Sequence, residues 1–139
     1  MLKLENISFS VDVDGQDLGI IDDVTLEIPD GAFTVITGPN GGGKSTLARL
    51  IMGIEKPTSG KIIYNGTDIT DLSVTERAKL GIGFAFQHPP RFKGLTVRRL
   101  LSLAAGYELP EDECCSYLTS VGLCSKDYLN REMDNSLSG

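Results

Sequence analysis

The chain of 139 residues carries 13 basic and 19 acidic side chains, a formal charge of −6, with 40% apolar and 23% charged residues. This balance fits one folded, water-soluble domain large enough for its own core, and the acidic excess argues against nucleic acid as a partner. No apolar run nears the roughly 20 residues that cross a bilayer, and "MLKLENISFS" lacks the basic start and long apolar middle of a signal peptide, so a cytoplasmic location is expected.

In chain order, "LKLENISFS" places apolar residues at Leu2 and Leu4, then at Ile7 and Phe9, a strand whose phase slips once near Asn6. "VDVDGQDLG", residues 11–19, reads as a turn. "VTLEI" alternates, with Val24, Leu26 and Ile28 on one face, and predicts a half-buried antiparallel strand closed by "PDG". "FTVIT", residues 33–37, predicts a short buried strand that runs directly into a glycine-rich stretch. Beyond Lys44, apolar residues at Leu47, Leu50, Ile51 and Ile54 have helical spacing, bounded by Gly53 and Pro57. "KIIYNG" predicts a strand and turn, "SVTERAKLG" a short helix ending before Gly81, and "IGFAF", residues 82–86, a buried parallel strand ending at Gln87. From about residue 96 helices dominate: Thr96 can cap one bearing Val97, Leu100, Leu101 and Ala104, and Pro110 opens another with Glu111, Asp112 and Glu113 in its first turn. Cys114, Cys115 and Cys124 have no zinc-site spacing and read as reduced thiols on and after a helix.

The stretch Gly38-Pro39-Asn40-Gly41-Gly42-Gly43-Lys44-Ser45 fits G-x-x-x-x-G-K-[ST] in full, between a predicted strand and a predicted helix. Bare backbone lets successive N–H groups curve around phosphate oxygens, and a helix N-terminus adds partial positive charge beneath them. Lys44 is placed to reach β- and γ-phosphates, Ser45 to offer its hydroxyl to Mg²⁺, and Thr46 to bind the α-phosphate. The expected ligands are therefore ATP or a related nucleotide with Mg²⁺. This pattern alone does not choose among kinases, GTPases and ATPases.

"GPNGGGKST" resembles the phosphate loop of the ATP-binding-cassette (ABC) ATPases, usually GPNGSGKST, with Gly42 in place of a serine. "GIGFAFQHP" resembles that family's Q-loop, and "NSLSG" matches the first three positions of its LSGGQ signature at Leu137, Ser138 and Gly139. The resemblance covers the whole chain. It implies an α/β fold of the P-loop NTPase class: a nucleotide-binding core over residues 1–89 with an antiparallel β subdomain, and a helical subdomain over residues 90–139. It further implies that Gln87 coordinates Mg²⁺ or the attacking water, and that Ser138 and Gly139 contact the γ-phosphate of ATP held by a second copy closing head-to-tail. The adenine-stacking position of the first strand region falls on Val11, so weak base discrimination is expected. Phe9, two residues earlier, reads as core.

The rest of the signature, the Walker B strand with its aspartate and glutamate, and the switch histidine have no counterpart in these 139 residues. His88 lies beside Gln87 and reads as a loop side chain. The resemblance therefore implies an ATPase as the intact protein, with residues 1–139 alone nearly inactive and an apolar sheet edge uncovered. Several roles stay open. "FAFQHPPRFKGLTV" and Val11 resemble the Suf-type iron–sulfur-cluster assembly ATPases, whose partner is a soluble scaffold. The alternatives are the energy-coupling ATPase of a membrane transporter, seated with its membrane subunit at the inner face of the membrane, a nucleotide-binding module without catalysis, and a translation- or repair-type cassette. Arg91, Lys93, Arg98 and Arg99 could face an acidic partner or form a solvated helix face.

Overall fold

A long β-hairpin opens the chain. In the computed structural model, which describes residues 1–87, 92–123 and 128–133, β1 (Leu2–Val13) pairs antiparallel with β2 (Gln16–Ile28). The turn expected over residues 11–19 is confined to Asp14 and Gly15, both left-handed with φ of 54° and 79°, the two-residue geometry that matches strand twist. The hairpin's outer end carries exposed Val13 and Leu18. Its ladder holds it there without a buried face, so hydrophobic alternation does not mark it.

The phase slip in β1 is a bulge. Asn6 takes φ 50°, the register shifts between Leu4 and Ile7, and both of those side chains become fully buried. The Asn6 side-chain amide donates to Asp23 Oδ1 at 2.8 Å, and its backbone N–H donates to Thr25 Oγ1 at 3.1 Å. Gly60, with φ 91°, lies against the bulge, where a β-carbon would collide with the carbonyls of Glu5 and Asn6. Gly60 belongs to β3 (Ser59–Tyr64), which pairs with β1; Asn65 and Gly66 then turn the chain into β4 (Thr67–Asp68), giving the order β2-β1-β3-β4.

Helix α1 (Lys44–Met52) lays Leu47 and Leu50 into a core with Leu4, Ile7, Ile21, Ile62 and Ile69, and Phe9 packs at its edge. The helix stops at Gly53, φ 79°, whose N–H reaches the carbonyls of Arg49 and Leu50. Helix α2 (Val74–Lys79) begins with a capping box: Glu76 N–H donates to Ser73 Oγ, and Ser73 N–H donates to Glu76 Oε2 at 2.8 Å. The Ser73 hydroxyl, also donating to Glu76, holds that carboxyl below its ordinary range.

Residues 33–37, expected as a buried strand, and 82–86, expected as a buried parallel strand, join neither described sheet. Phe33 is 94% exposed and Val35 66%. A parallel strand takes its hydrogen bonds from neighbours remote in sequence, and both described sheets are antiparallel and built from other segments. An apolar run by itself cannot supply that partner.

The chain divides into two compact units, Met1–Phe84 and Ala85–Gly139. In the second, α3 (Val97–Ala105) is capped by Thr96 Oγ1, which accepts from Arg99 N–H at 3.2 Å. Helix α4 (Glu111–Ser120) follows Pro110, with three acids in its first turn facing the helix dipole favourably. Leu109, Cys114, Leu118 and Leu129 form this unit's core, and Cys114 and Cys115 are free thiols. Beside the helices, β5 (Phe92–Thr96) pairs with β6 (Glu132–Met133), a contact between short segments that sequence pattern did not announce. Among the described residues no helix is long and apolar enough to cross a membrane.

Leu50 is 0% exposed where α1 meets the sheet. Truncating it to Ala is expected to destabilise the intact protein by about 2–5 kcal/mol, read from denaturant unfolding. A loss below roughly 1 kcal/mol would show that this core does not hold α1 in place.

Candidate nucleotide-binding site

The glycine stretch folds as a bare loop running into α1. Gly41 and Gly43 take φ of 82° and 74°, a left-handed backbone that glycine adopts without penalty. The Gly42 N–H donates to the Pro39 carbonyl at 3.2 Å and closes a tight turn. A β-carbon at Gly42 would stand 3.1 Å from that carbonyl oxygen, a distance that a small shift of the loop accommodates. At Gly43 it would stand 2.6 Å from Ile21 Cδ1 and 3.0 Å from the Ile20 carbonyl. Gly43 is therefore the point at which the loop presses directly on β2.

Gly43 is also the N-cap of α1, and no side chain caps the helix there. No acid occupies the first turn. The first N–H groups of a helix have no partner inside it, so this end presents donors and the positive pole of the dipole. The Lys44 ammonium donates to the carbonyls of Gly38 at 2.9 Å and Pro39 at 2.6 Å, which sets its charge over the front of the loop. Ser45 is exposed and Thr46 half-buried, while Gly38, Pro39 and Asn40 are exposed. Beside the loop lies an open cleft of about 440 Å³, walled by Ile21, Val24 and Leu26 of β2, residues 34–37, and Gly42 to Lys44.

These residues fit a phosphate chain. A side chain at Gly43 would meet β2, two loop positions demand left-handed backbone, and a lysine shares the exposed helix start. Among the described residues no cluster of three or more His, Cys, Asp or Glu could hold a metal by itself. Mg²⁺ bound chiefly through nucleotide phosphates and water needs only one or two protein ligands, a role open to the exposed Ser45 hydroxyl.

The other expected site residues belong to several parts of the chain. Val11 sits half-buried in the hairpin opposite Leu18, with no aromatic ring at that position. Gln87 is exposed at a bend near the start of the second unit. Lys93 and Arg99 are exposed and Arg98 half-buried in that unit. His88, Arg91, Cys124, Leu137, Ser138 and Gly139 lie outside the described residues. Sequence reasoning missed the wall that Ile20 and Ile21 make behind Gly43, because residues 20–23 fell between the turn read over 11–19 and the strand read over 24–28 and were assigned to neither. It also missed Arg77, which looked like one more charge on a short helix.

The "ABC transporter" family model matches residues 21–139. The chain belongs to the ABC transporter family. An uncharacterized ABC transporter ATP-binding protein of Methanocaldococcus jannaschii is 42% identical over 128 residues, covering 86% of this chain and 51% of that one. The sulfate/thiosulfate import ATP-binding protein CysA of Synechocystis sp. is 45% identical over 93 residues, 67% of this chain and 25% of that one. A methionine import ATP-binding protein, MetN of Histophilus somni, is 47% identical over 90 residues, 63% of this chain and 26% of that one. This ABC chain thus spans about half the length of the first relative and about a quarter of the others. Among solved structures, a bacterial ABC transporter cassette in dimeric form aligns with TM-score 0.80 and 27% identity, covering 100% of this chain and 64% of that one. A dimeric post-hydrolysis state of an ABC cassette bound to ADP and Pi aligns with TM-score 0.75 and 26% identity, covering 95% and 61%.

Substituting Gly43 with Ala would force a left-handed residue with a side chain against Ile21. The expected result in the intact protein is a loss of ATP affinity of about tenfold or more, measured by calorimetric titration. Affinity unchanged from the parent would mean that the loop's shape at Gly43 is not what binds phosphate.

Proposed function

We propose that this chain is the ATP-binding part of the energy-coupling subunit of an ABC transporter, in which ATP binding and hydrolysis drive two copies to close head-to-tail and reopen. The observation that carries this reading is the side-chain-free loop at the uncapped start of α1, with Lys44 beside it. The transporter role draws on the relatives, whose names describe import of sulfate, thiosulfate or methionine. Residues 1–89 would form the nucleotide-binding core and residues 90–139 the helical subdomain, at the cytoplasmic face of a membrane partner.

In this reading the N–H groups of Gly41 to Ser45 donate to phosphate oxygens. Lys44 exchanges its two carbonyl partners for the β- and γ-phosphates, and Thr46 takes the α-phosphate. Mg²⁺, when bound, neutralises phosphate charge, and Ser45 would hold it with Gln87. Gln87 can orient a water but cannot accept its proton at neutral pH, being an uncharged amide. Ser138 and Gly139 would reach the nucleotide of a second copy with hydrogen bonds, not a base. Residues 1–139 by themselves would therefore turn ATP over no faster than background. The base is contacted at Val11 by an aliphatic side chain, which separates ATP from GTP only weakly.

The Suf-type reading has two features in its favour, the stretch "FAFQHPPRFKGLTV" and Val11. None of the relatives named above supports it. Affinity capture with the intact protein discriminates the two: the transporter role expects a membrane-embedded subunit, the Suf-type role a soluble scaffold.

Removing the Lys44 ammonium takes away the one full charge that the motif aims at the phosphates. In the intact protein, Lys44→Ala is expected to weaken ATP binding roughly 100-fold and to bring turnover to background, with the unfolding transition retained. Turnover equal to that of the parent would overturn the proposed site.

A further inference from the structure

Among the described residues Arg77 is the largest fully buried side chain, 1% exposed, and it has no carboxylate within ion-pair distance there. Asp71, whose charge reaches it, is engaged with Lys56 at 2.6 Å. The guanidinium is instead satisfied by four backbone carbonyls. Nη1 donates to Leu50 O and Ile51 O, both at 2.8 Å; Nη2 donates to Thr70 O at 2.8 Å; Nε donates to Leu72 O at 3.0 Å. A buried cation whose hydrogen bonds all go to neutral carbonyls is an expensive arrangement for a fold to keep.

Two of those carbonyls belong to the last turn of α1, the helix whose first turn follows the glycine loop. The helix end is shaped for this contact. A β-carbon at Gly53 would stand 2.8 Å from Arg77 Nε and 3.1 Å from Cζ, so the terminating glycine also admits the guanidinium. Arg77's own carbonyl accepts from Ile82 N–H at 3.2 Å, at the start of the segment that leads in sequence to Gln87.

We infer that Arg77 is a positioning residue for the nucleotide site, clamping the rear of α1 so that the loop amides and Lys44 keep their aim, and tying residue 82 to the same point. The inference rests on the phosphate reading of the loop given above. Nine residues at about 1.5 Å each make α1 roughly 13 Å long, so a tilt of about 5° at its rear moves its first turn by about 1 Å. A displacement of that size is enough to spoil a preorganised site. Lysine would keep a charge there but not the planar fork that reaches Leu50, Ile51, Thr70 and Leu72 together.

The test compares Arg77→Lys with the parent in the intact protein, at a temperature where circular dichroism shows both fully folded. The inference expects the KM for ATP to rise about tenfold or more, while kcat per folded molecule changes by less than about threefold. A merely structural role lowers the folded fraction or the melting temperature and leaves KM within about twofold, and that outcome overturns it. Should Arg77→Lys fail to fold, hydrogen exchange on the unsubstituted protein decides. Adding Mg-ATP should slow exchange of the Ile82 and Gly53 amides about tenfold, and exchange rates unchanged at both would overturn the inference. If the unsubstituted protein binds no ATP at all, the nucleotide reading falls and this inference with it; ATP bound with KM unchanged in Arg77→Lys removes the inference alone.

Discussion

Glycines 41 to 43 have no side chains with which to hold a shape, so the loop takes its shape from what it is pressed against. That support is β2. Gly43 meets Ile20 and Ile21 at a distance that leaves no room for a methyl group, and the helix it begins sinks Leu47 and Leu50 into the core of the same sheet. The bulge at Asn6 serves the same end, since it turns Leu4 and Ile7 together onto the face that receives α1. Loop, helix and bulged hairpin are thus one mechanical unit, in which donors are preorganised by packing elsewhere.

Legibility in the sequence followed the range of the interactions. Elements fixed by neighbours three or four residues away could be read. The Thr96 cap, Pro110 with its acids and the left-handed stop at Gly53 all set helix ends locally. The glycine loop was legible for the same reason, because its chemistry needs specific residues in unbroken succession. Elements fixed by remote partners were not. Residues 33–37 and 82–86 have the composition of buried parallel strands yet stand outside the described sheets, and β5 with β6 pairs segments separated by two helices. The outer hairpin failed differently: its polar, exposed arms carry no alternation, although Asp14-Gly15 at its tip is a strong turn signal.

Arg77 shows a further limit of pattern reading. In the sequence it is a charge on a six-residue helix, and only the fold reveals that its side chain runs inward to the end of another helix. Its signal was indirect. A glycine that ends a helix beside a buried cation can be there for the cation as well as for the left-handed turn, and Gly53 serves both.

The family is carried by both the motif and the matched residues 21–139, and the proposed site puts the phosphates on the loop that opens α1. A crystal structure of the intact protein with Mg²⁺ and a non-hydrolysable ATP analogue tests that most directly. The proposed site requires β-phosphate oxygens within about 3.2 Å of the backbone nitrogens of Gly41 to Ser45, with Lys44 Nζ moved from the Gly38 and Pro39 carbonyls onto the phosphates. An ordered nucleotide whose phosphates lie away from these amides, with Lys44 still on the two carbonyls, would contradict it.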